Sequence, residues 1–402
     1  MRHIAYTDWT TASGFAAGSF DGTGTDGEAL TLTSPTGTLA YADPHGDGST
    51  RRYEFAVWTS AAVRPGFDYT ELVASWNAQT PDGSWLQVEV QGAARTGELS
   101  TWYVLGRWAA SDEEFHRTSV TAQGDALASV AADTLVAAEG QAFSAWQLRV
   151  TLYRPVGSSD APRVTLVGAM ASALPAAATV PVSSPGGAAG ITLDVPTYSQ
   201  ETHVGEYPQW DGGGEAWCSP TSTAMVLSYW SCGPAPADYS WVDPGYADPW
   251  VDHAARHVYD YAYDGAGNWP FNTAYAATFG LECFVTRLRS LTEAEQFIAA
   301  GIPLIVSVSF EKGELDHAGY GTRGHLLVIV GFTADGDVVV NDPASHLTAS
   351  NDEVRTVYDR AQFENVWIPR SGGIAYVIHP ASVPLPTAPA EANWWGLRPP
   401  SR

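Results

Sequence analysis

The sequence predicts a multidomain protein with an N-terminal all-β sandwich, jelly-roll-like, followed by an α+β domain. Three observations predict this class. The 402 residues exceed what one hydrophobic core usually organises. The first 173 residues contain several short segments in which apolar and polar residues alternate, whereas the second half places helical segments ahead of continuous apolar runs.

The front domain, residues 1–173, is predicted from strands with a period of two. In residues 84–91, Leu86, Val88 and Val90 share one face and glutamine or glutamate side chains fill the other. Residues 146–152 repeat this pattern. The segment Thr-Pro-Asp-Gly at residues 80–83 is a strong turn signal between two such runs. Short strands at modest spacing favour an antiparallel sandwich.

The second domain is predicted over residues 191–380. Residues 174–190 are rich in Ala, Pro, Ser and Gly and are interpreted as a linker, and residues 381–402 as a Pro-rich tail. Helices are predicted over residues 216–229, 248–263 and 291–300, the last with Thr292 as N-cap. Residues 265–272 are predicted to form a loop, in which Trp269 either lines a substrate subsite or plugs the domain. Strands are predicted over residues 303–309, 325–332 and 338–340.

Composition excludes several classes of partner. The formal net charge is -24, and Lys312 is the single lysine, so nucleic acid and anionic membrane surfaces would repel the chain. The sequence contains no run of 18 apolar residues, so no membrane-spanning helix is predicted. The N-terminus lacks the apolar stretch of a signal peptide, which favours the cytoplasm if Met1 is the true start.

Cys218 is the candidate nucleophile. It lies in the segment Trp-Cys-Ser-Pro-Thr, at the predicted start of a helix. The reactive form of a cysteine is the thiolate, which the partial positive charge of a helix N-terminus stabilises. A neighbouring imidazole stabilises the thiolate further and can protonate a leaving amine.

His325, Asp342 and Gln200 are the candidate partners of Cys218. His325 opens an apolar strand after the Gly-rich residues 319–324, and the hairpin turn at Asp335-Gly336 returns the chain to Asp342. A carboxylate there could orient the imidazole. Gln200 lies 18 residues before Cys218 and could donate to the oxyanion that forms on thiolate attack, together with the Cys218 backbone N–H.

These motifs resemble those of the bacteriocin double-glycine leader peptidase superfamily. The resemblance rests on Ser199-Gln200, the Trp-Cys-Ser-Pro-Thr segment, Gly324-His325 and Asn341-Asp342-Pro343, over about residues 193–378. The match is closer to the stand-alone, C-39-like branch, and the layout is similar to an actinobacterial group with a front domain. The resemblance implies a papain-like fold, a cysteine peptidase acting on a peptide or protein, no cofactor, and an extracellular location.

Two alternative functions remain open. In the first, the peptidase fold is catalytically degenerate and the front domain binds a cell-surface glycan through Trp85, Trp102 and Trp108, although core packing explains these residues equally well. In the second, the chain is a cell-wall peptidase or amidase of the NlpC type. That type also has a cysteine followed by a histidine but no comparable glutamine ahead of the cysteine.

The remaining cysteines and one histidine pair are interpreted structurally. Cys232 and Cys283 are predicted to be small buried residues, and a disulfide between them is left open. His253 and His257 share a helix face at the spacing of zinc ligands, with Asp252 and Asp260 nearby. No clear third ligand exists beyond Asp260 or Asp264, so a solvated face is predicted rather than a metal site.

Overall fold

The computed structural model describes residues 2–387, which divide into two compact units. The first contains residues 2–174 and Asp260–Asp264, and the second contains Pro175–Tyr259 and residues 265–387. The predicted tail, residues 381–402, lies outside the described residues from position 388 onward.

The described part of the first unit is built from strands and one short helix, which confirms the predicted all-β class. The elements in chain order are β1 His3–Trp9, α1 Ala12–Phe15, β2 Ser19–Asp21, β3 Thr23–Asp26, β4 Ala29–Leu32, β5 Gly37–Ala42, β6 Thr50–Thr59, β7 Glu71–Gln79, β8 Trp85–Ala94, β9 Tyr103–Trp108, β10 Ala128–Ala131, β11 Thr134–Ala137, β12 Phe143–Pro155 and β13 Arg163–Ala173.

These strands form two antiparallel sheets. One has the order β10-β11-β7-β13-β4-β3, with β1 also paired to β13; the other has the order β2-β6-β12-β8-β9, with β5 also paired to β6. Trp9 of the first sheet contacts Trp58 and Trp146 of the second, with ring centroids 5.3 and 6.0 Å apart. Side chains of the two sheets therefore meet in a shared aromatic core.

The tryptophans considered for glycan stacking belong mainly to this unit's interior. Trp85 and Trp108 are buried, and the Trp85 ring stacks on Tyr153 and Phe115 with centroids 3.8 and 4.4 Å apart. Trp102 is half-buried with the Arg149 guanidinium over its ring. A stacking platform made of Trp85, Trp102 and Trp108 is therefore wrong, because two of its three rings are not accessible.

The second unit combines helices with one six-stranded antiparallel sheet of order β14-β19-β15-β16-β17-β18. Its elements are α2 Cys218–Tyr229, α3 Pro249–Val258, α4 Trp269–Ala277, β14 Glu282–Arg287, α5 Leu291–Ala299, β15 Leu304–Phe310, β16 Thr322–Phe332, β17 Val338–Asn341, β18 Arg355–Tyr358, α6 Arg360–Trp367 and β19 Ile374–His379. Short 3₁₀ turns cover Gln200–His203, Gly214–Ala216, Ser345–Leu347 and Asn351–Glu353.

Local signals located most of these elements, with three corrections. The helix predicted over residues 248–263 ends at Val258, and the loop predicted over residues 265–272 contains the start of α4. Asn268 caps α4 by accepting from the Phe271 N–H, with a proline in the first turn. The N-cap of α5 is Ser290, whose side chain accepts from Glu293 N–H, rather than Thr292.

The segment interpreted as a linker, residues 174–190, is fixed to the second unit over part of its length. The backbone N–H and hydroxyl of Ser183 both donate to Glu364 on α6. The N–H groups of Gly186 and Ala188 donate to Glu295 on α5. These contacts order the segment, so it does not behave as a free spacer within the described structure.

Candidate active site

Cys218 is the first residue of α2, and its side chain is partly exposed. Trp217 occupies the N-cap position, without a side-chain capping hydrogen bond. Its indole is fully buried, and the indole N–H donates to the Trp210 carbonyl at 2.7 Å. The helix N-terminus leaves backbone N–H groups without intrahelical partners and carries a partial positive charge. Cys218 therefore lies beside backbone donors that the helix itself does not use.

The packing of α2 on the sheet brings Cys218 to His325. Ser222 on α2 donates to the Leu326 carbonyl, next to His325 on β16, at 3.2 Å, and Ser219 shares a hydrogen bond with the Tyr376 hydroxyl at 3.1 Å. Hydrogen bonding and charge at Cys218 are among the causes that raise the pKa of His325. The Cys218 thiol therefore lies close enough to the imidazole to affect its charge.

Asp342 receives four hydrogen bonds in a fully buried position. His325 Nε2 lies 2.8 Å from Asp342 Oδ1, and the hydroxyls of Tyr320 and Tyr358 donate to Oδ2 at 2.8 and 2.7 Å. The Ala344 N–H donates to Oδ1 at 3.0 Å. Because Nε2 faces Asp342, Nδ1 is the ring nitrogen of His325 left for the thiol.

The electrostatics of the pair favour an imidazolium next to a carboxylate. Burial alone lowers the pKa of His325, but the charge and hydrogen bond of Asp342, followed by those of Cys218, raise it to about 10. Burial alone raises the pKa of Asp342, but the charge of His325 and the hydrogen bonds from His325, Tyr358 and Tyr320 hold it below its ordinary value.

Gln200 begins a 3₁₀ turn and forms hydrogen bonds both next to Asp342 and close to Cys218 in the chain. Its backbone N–H donates to the Pro343 carbonyl, next to Asp342, at 2.9 Å. Its side-chain Nε2 donates to the Glu215 carbonyl, three residues ahead of Cys218, at 2.7 Å. An amide nitrogen carries two hydrogens, and the Gln200 side chain also forms a hydrogen bond to the Glu201 carboxylate.

Gly214 allows the Gln200 turn to approach the chain ahead of Cys218. A Cβ atom at Gly214 would lie 2.3 Å from the carbonyl carbon of His203 and 2.6 Å from the carbonyl oxygen of Gln200. Backbone atoms occupy that space, and they cannot rotate away as a flexible side chain could. Only glycine fits between the two segments in this arrangement.

Three residues of this arrangement were not predicted from the sequence. Tyr320 lies in the Gly-rich segment singled out ahead of His325, whereas Tyr358 ends β18 with no local signal. Glu201 follows Gln200, and burial and the charge of Glu215 raise its pKa, against the hydrogen bond from Gln200 and the charge of His325. A carboxylate therefore lies beside the site.

The other two cysteines differ from Cys218 in their surroundings. All three are thiols, which answers the open question of a disulfide between Cys232 and Cys283. Cys283 is buried within β14, and burial raises its pKa well above the ordinary value. Cys232 is half-buried, like Cys218, but follows the C-terminal end of α2.

The solvated face predicted for the histidine pair of α3 is wrong. Asp252, His253 and Asp260 are buried, and the rings of His253 and His257 stack 3.9 Å apart. His253 Nδ1 shares a hydrogen bond with the Tyr275 hydroxyl, and His257 Nδ1 lies 2.8 Å from the His253 carbonyl oxygen. Asp260 accepts from the N–H of Ser119 within the first unit. These contacts occupy the pair in structural roles.

Sequence comparison relates each unit to a peptidase family model. Residues 192–374 match the Peptidase_C39 like family. More particularly, residues 5–172 match the Peptidase C39 N-terminal domain, so both units have family counterparts. None of the helices within residues 2–387 combines the length and apolar character needed to cross a membrane.

Comparison with individual proteins adds little beyond the family. One solved structure, described as a C39-like peptidase from Bacillus anthracis, is 16% identical to this chain, with a TM-score of 0.29. The match covers 46% of this chain and 96% of the other. A TM-score at that level carries no argument about the fold. No curated protein is significantly similar to the chain.

Proposed function

We propose that the second unit is a papain-like cysteine peptidase with Cys218 as nucleophile, His325 as acid and base, Asp342 as the orienting residue and Gln200 as an oxyanion donor. The observation that carries the proposal is the contact of the buried, Asp342-bound imidazole of His325 with a cysteine at a helix N-terminus. The match of residues 192–374 to a peptidase family supports a peptide or protein as substrate.

The proposed reaction proceeds through a thioester. The Cys218 thiolate attacks the carbonyl carbon of a peptide bond, and the new oxyanion accepts hydrogen bonds from the Gln200 amide, in place of its bond to Glu201, and from the Cys218 N–H. The C–N bond then breaks as His325 Nδ1 gives its proton to the leaving amine. Water attacks the thioester, His325 takes a proton from it, and the acid product leaves as the thiolate reforms.

The test compares Cys218→Ala with Cys232→Ala, since both thiols are half-buried. Cys218→Ala should abolish hydrolysis of an activated ester and of a mixed peptide library, and should also remove iodoacetamide labelling near pH 6. Cys232→Ala should keep both. Removing one partly exposed sulfur should change the free energy of unfolding by less than about 1 kcal/mol in either variant.

Three outcomes would contradict the proposal. Equal labelling of the wild type and Cys218→Ala at pH 6 would show that no reactive thiolate exists at Cys218. Selective labelling of Cys218 without any hydrolysis across the library would favour a catalytically degenerate binding protein instead. Hydrolysis confined to cell-wall peptides and unaffected by Gln200→Ala would favour the NlpC-type alternative.

A further inference from the structure

A second cluster of ionisable side chains lies in the same unit, apart from the proposed active site. It consists of His203, Glu206 and Asp252, all buried, with His203 and Asp252 fully so. His203 ends the 3₁₀ turn that begins at Gln200, Glu206 follows three residues later, and Asp252 lies in the first turn of α3. Two separate stretches of the chain therefore meet at these three side chains.

The three groups present their polar atoms to a common point. His203 Nδ1 lies 2.7 Å from Glu206 Oε2 and 3.5 Å from Asp252 Oδ2. One such atom from each residue lies within 4.8 Å of the others. For a tetrahedral zinc ion with bonds of about 2.0–2.1 Å, adjacent ligand atoms are about 3.3 Å apart. The separation of Nδ1 from Oδ2 already matches that value, and that of Nδ1 from Oε2 would widen by about half an ångström.

The hydrogen bonding of Asp252 points to a missing ligand. Among the described residues, neither carboxylate oxygen of Asp252 accepts a hydrogen bond of good geometry; Oδ2 has only the longer ion pair with His203 at 3.5 Å, although the side chain is fully buried. Burying a carboxylate in this way is strongly unfavourable unless a cation or donors compensate it. The cluster itself contains two carboxylates and one imidazole. A protonated imidazole would leave one negative charge over, whereas a divalent cation bound to neutral His203 would balance both carboxylates.

We propose that His203, Glu206 and Asp252 bind a divalent transition-metal cation of the zinc class. Imidazole nitrogen and carboxylate oxygen are both ligands that zinc uses in proteins, and three protein ligands leave a coordination position for water. No step of the peptidase reaction requires this cation, and the inference does not depend on the proposed function.

The cation would link segments of the chain that lead to the proposed site. It would join residues 203–206 to α3, and the His203 ring also contacts Trp217, the N-cap of α2, with ring centroids 5.8 Å apart. The Gln200 turn ends at His203. Metal binding would therefore stabilise the folded unit and reduce motion of the chain on both sides of the site.

The first experiment uses the full-length wild-type chain, purified without chelators. Elemental mass spectrometry should find about one equivalent of zinc or a similar divalent metal per chain. A strong chelator should remove it and lower the melting temperature, and added Zn²⁺ should restore that temperature with saturation at about one equivalent. A metal content below a tenth of an equivalent, together with a melting temperature that ignores both chelator and Zn²⁺, would overturn the proposal.

Variants then locate the metal. Asp252→Asn and His203→Gln should each lose the bound metal and the response to Zn²⁺. The matched control is His253→Gln, because His253 is also buried on α3 but binds the Tyr275 hydroxyl. Full metal content in both cluster variants would place the metal elsewhere and overturn the assignment. If a cluster variant fails to fold, the wild-type titration alone decides, and catalytic activity enters neither measurement.

Discussion

At the scale of single residues, Asp342 and Gln200 have different partners and should therefore contribute differently. Asp342 binds the ring nitrogen of His325, so it affects the charge of the imidazole before any substrate arrives. Gln200 is held by the Glu215 and Pro343 carbonyls and makes no contact of this kind with the ring. Its proposed role begins only when an oxyanion exists.

Substitution of these two residues should give separable effects. Asp342→Ala should shift the pH dependence of Cys218 alkylation, because the imidazolium loses its largest stabilising partner. Gln200→Ala should leave that dependence unchanged and lower the acylation rate with an activated ester about 100-fold or more, the usual effect of removing one oxyanion donor. Stopped-flow acylation and iodoacetamide kinetics across pH measure the two effects.

The control for Gln200→Ala is Gln209→Ala, which removes an exposed amide from the same stretch of chain. It should change neither rate. If Gln200→Ala moves the alkylation profile as far as Asp342→Ala does, then Gln200 is a structural partner of the thiol and the oxyanion role is incorrect.

Sequence reasoning finds residues whose chemistry leaves a local mark. Cys218 was singled out by its place at a helix start, which is confirmed. His325 was predicted to open a strand, but β16 begins at Thr322 and His325 lies within it. The roles proposed for them remain predictions. The contact of Tyr358 with Asp342 could not be predicted from local sequence, because it depends on the pairing of β17 with β18. A long-range pairing of this kind cannot be deduced from spacing alone.

At the scale of elements, the Gln200 turn and the chain ahead of α2 fit together only because residue 214 has no side chain. The other element errors also have physical causes. Residues 265–272 were predicted to form a loop, whereas Asn268 and the following Trp-Pro form a helix start. In α3, the apolar pattern continued past Val258, but the backbone leaves the helix at Tyr259.

Substitution of Gly214 by alanine should move the Gln200 turn. The added methyl would meet backbone atoms of His203 and Gln200, so the free energy of unfolding should fall by about 1–3 kcal/mol. Acylation should slow while iodoacetamide labelling of Cys218 persists. Urea unfolding and ester kinetics check both effects.

Gly267→Ala is the matched control, since a Cβ atom added at Gly267 would meet no other atom within 4 Å. It should change stability by less than about 0.5 kcal/mol. Equal stability and equal acylation in the two alanine variants would show that the close approach at residue 214 does not position Gln200.

At the scale of the whole molecule, the buried ion pair makes stability depend on pH. The pKa of His325 is raised from 6.5 to about 10, so its stabilising effect is complete below about pH 6.5 and is lost as pH rises through 10. The pKa of Asp342 is lowered from 3.8, so its effect is present above that value and is lost as pH falls below it. The pair should therefore stabilise the fold most between about pH 3.8 and pH 6.5.

We therefore expect the stability difference between the wild type and His325→Gln to shrink between pH 6.5 and pH 10, with a slope on the order of 1 kcal/mol per pH unit. Urea unfolding at half-unit pH intervals measures it. His317→Gln, at an exposed position of the same unit, should show no such slope. A pH-independent difference for His325→Gln would show that the imidazole does not gain its proton on folding.

The overall architecture was predictable only in part. The alternating segments of the first 173 residues correctly predicted strands, because a half-buried strand imposes a period of two on its own residues. The sequence contains no comparable pattern that predicts the order of strands in each sheet. Nor does it predict the division into units, since Asp260–Asp264 cluster with the first unit although their neighbours along the chain belong to the second.

The four donors around Asp342 have a consequence for how fast charge can move in this unit. A carboxylate in water must rearrange its hydration shell whenever a nearby group gains or loses a proton. Here the dipoles of Tyr320, Tyr358 and the Ala344 N–H already point at the oxygens, and Tyr358 is held at the end of β18. Folding therefore already orients the donors around the carboxylate. A change of charge at His325 then requires little further rearrangement of the groups around Asp342.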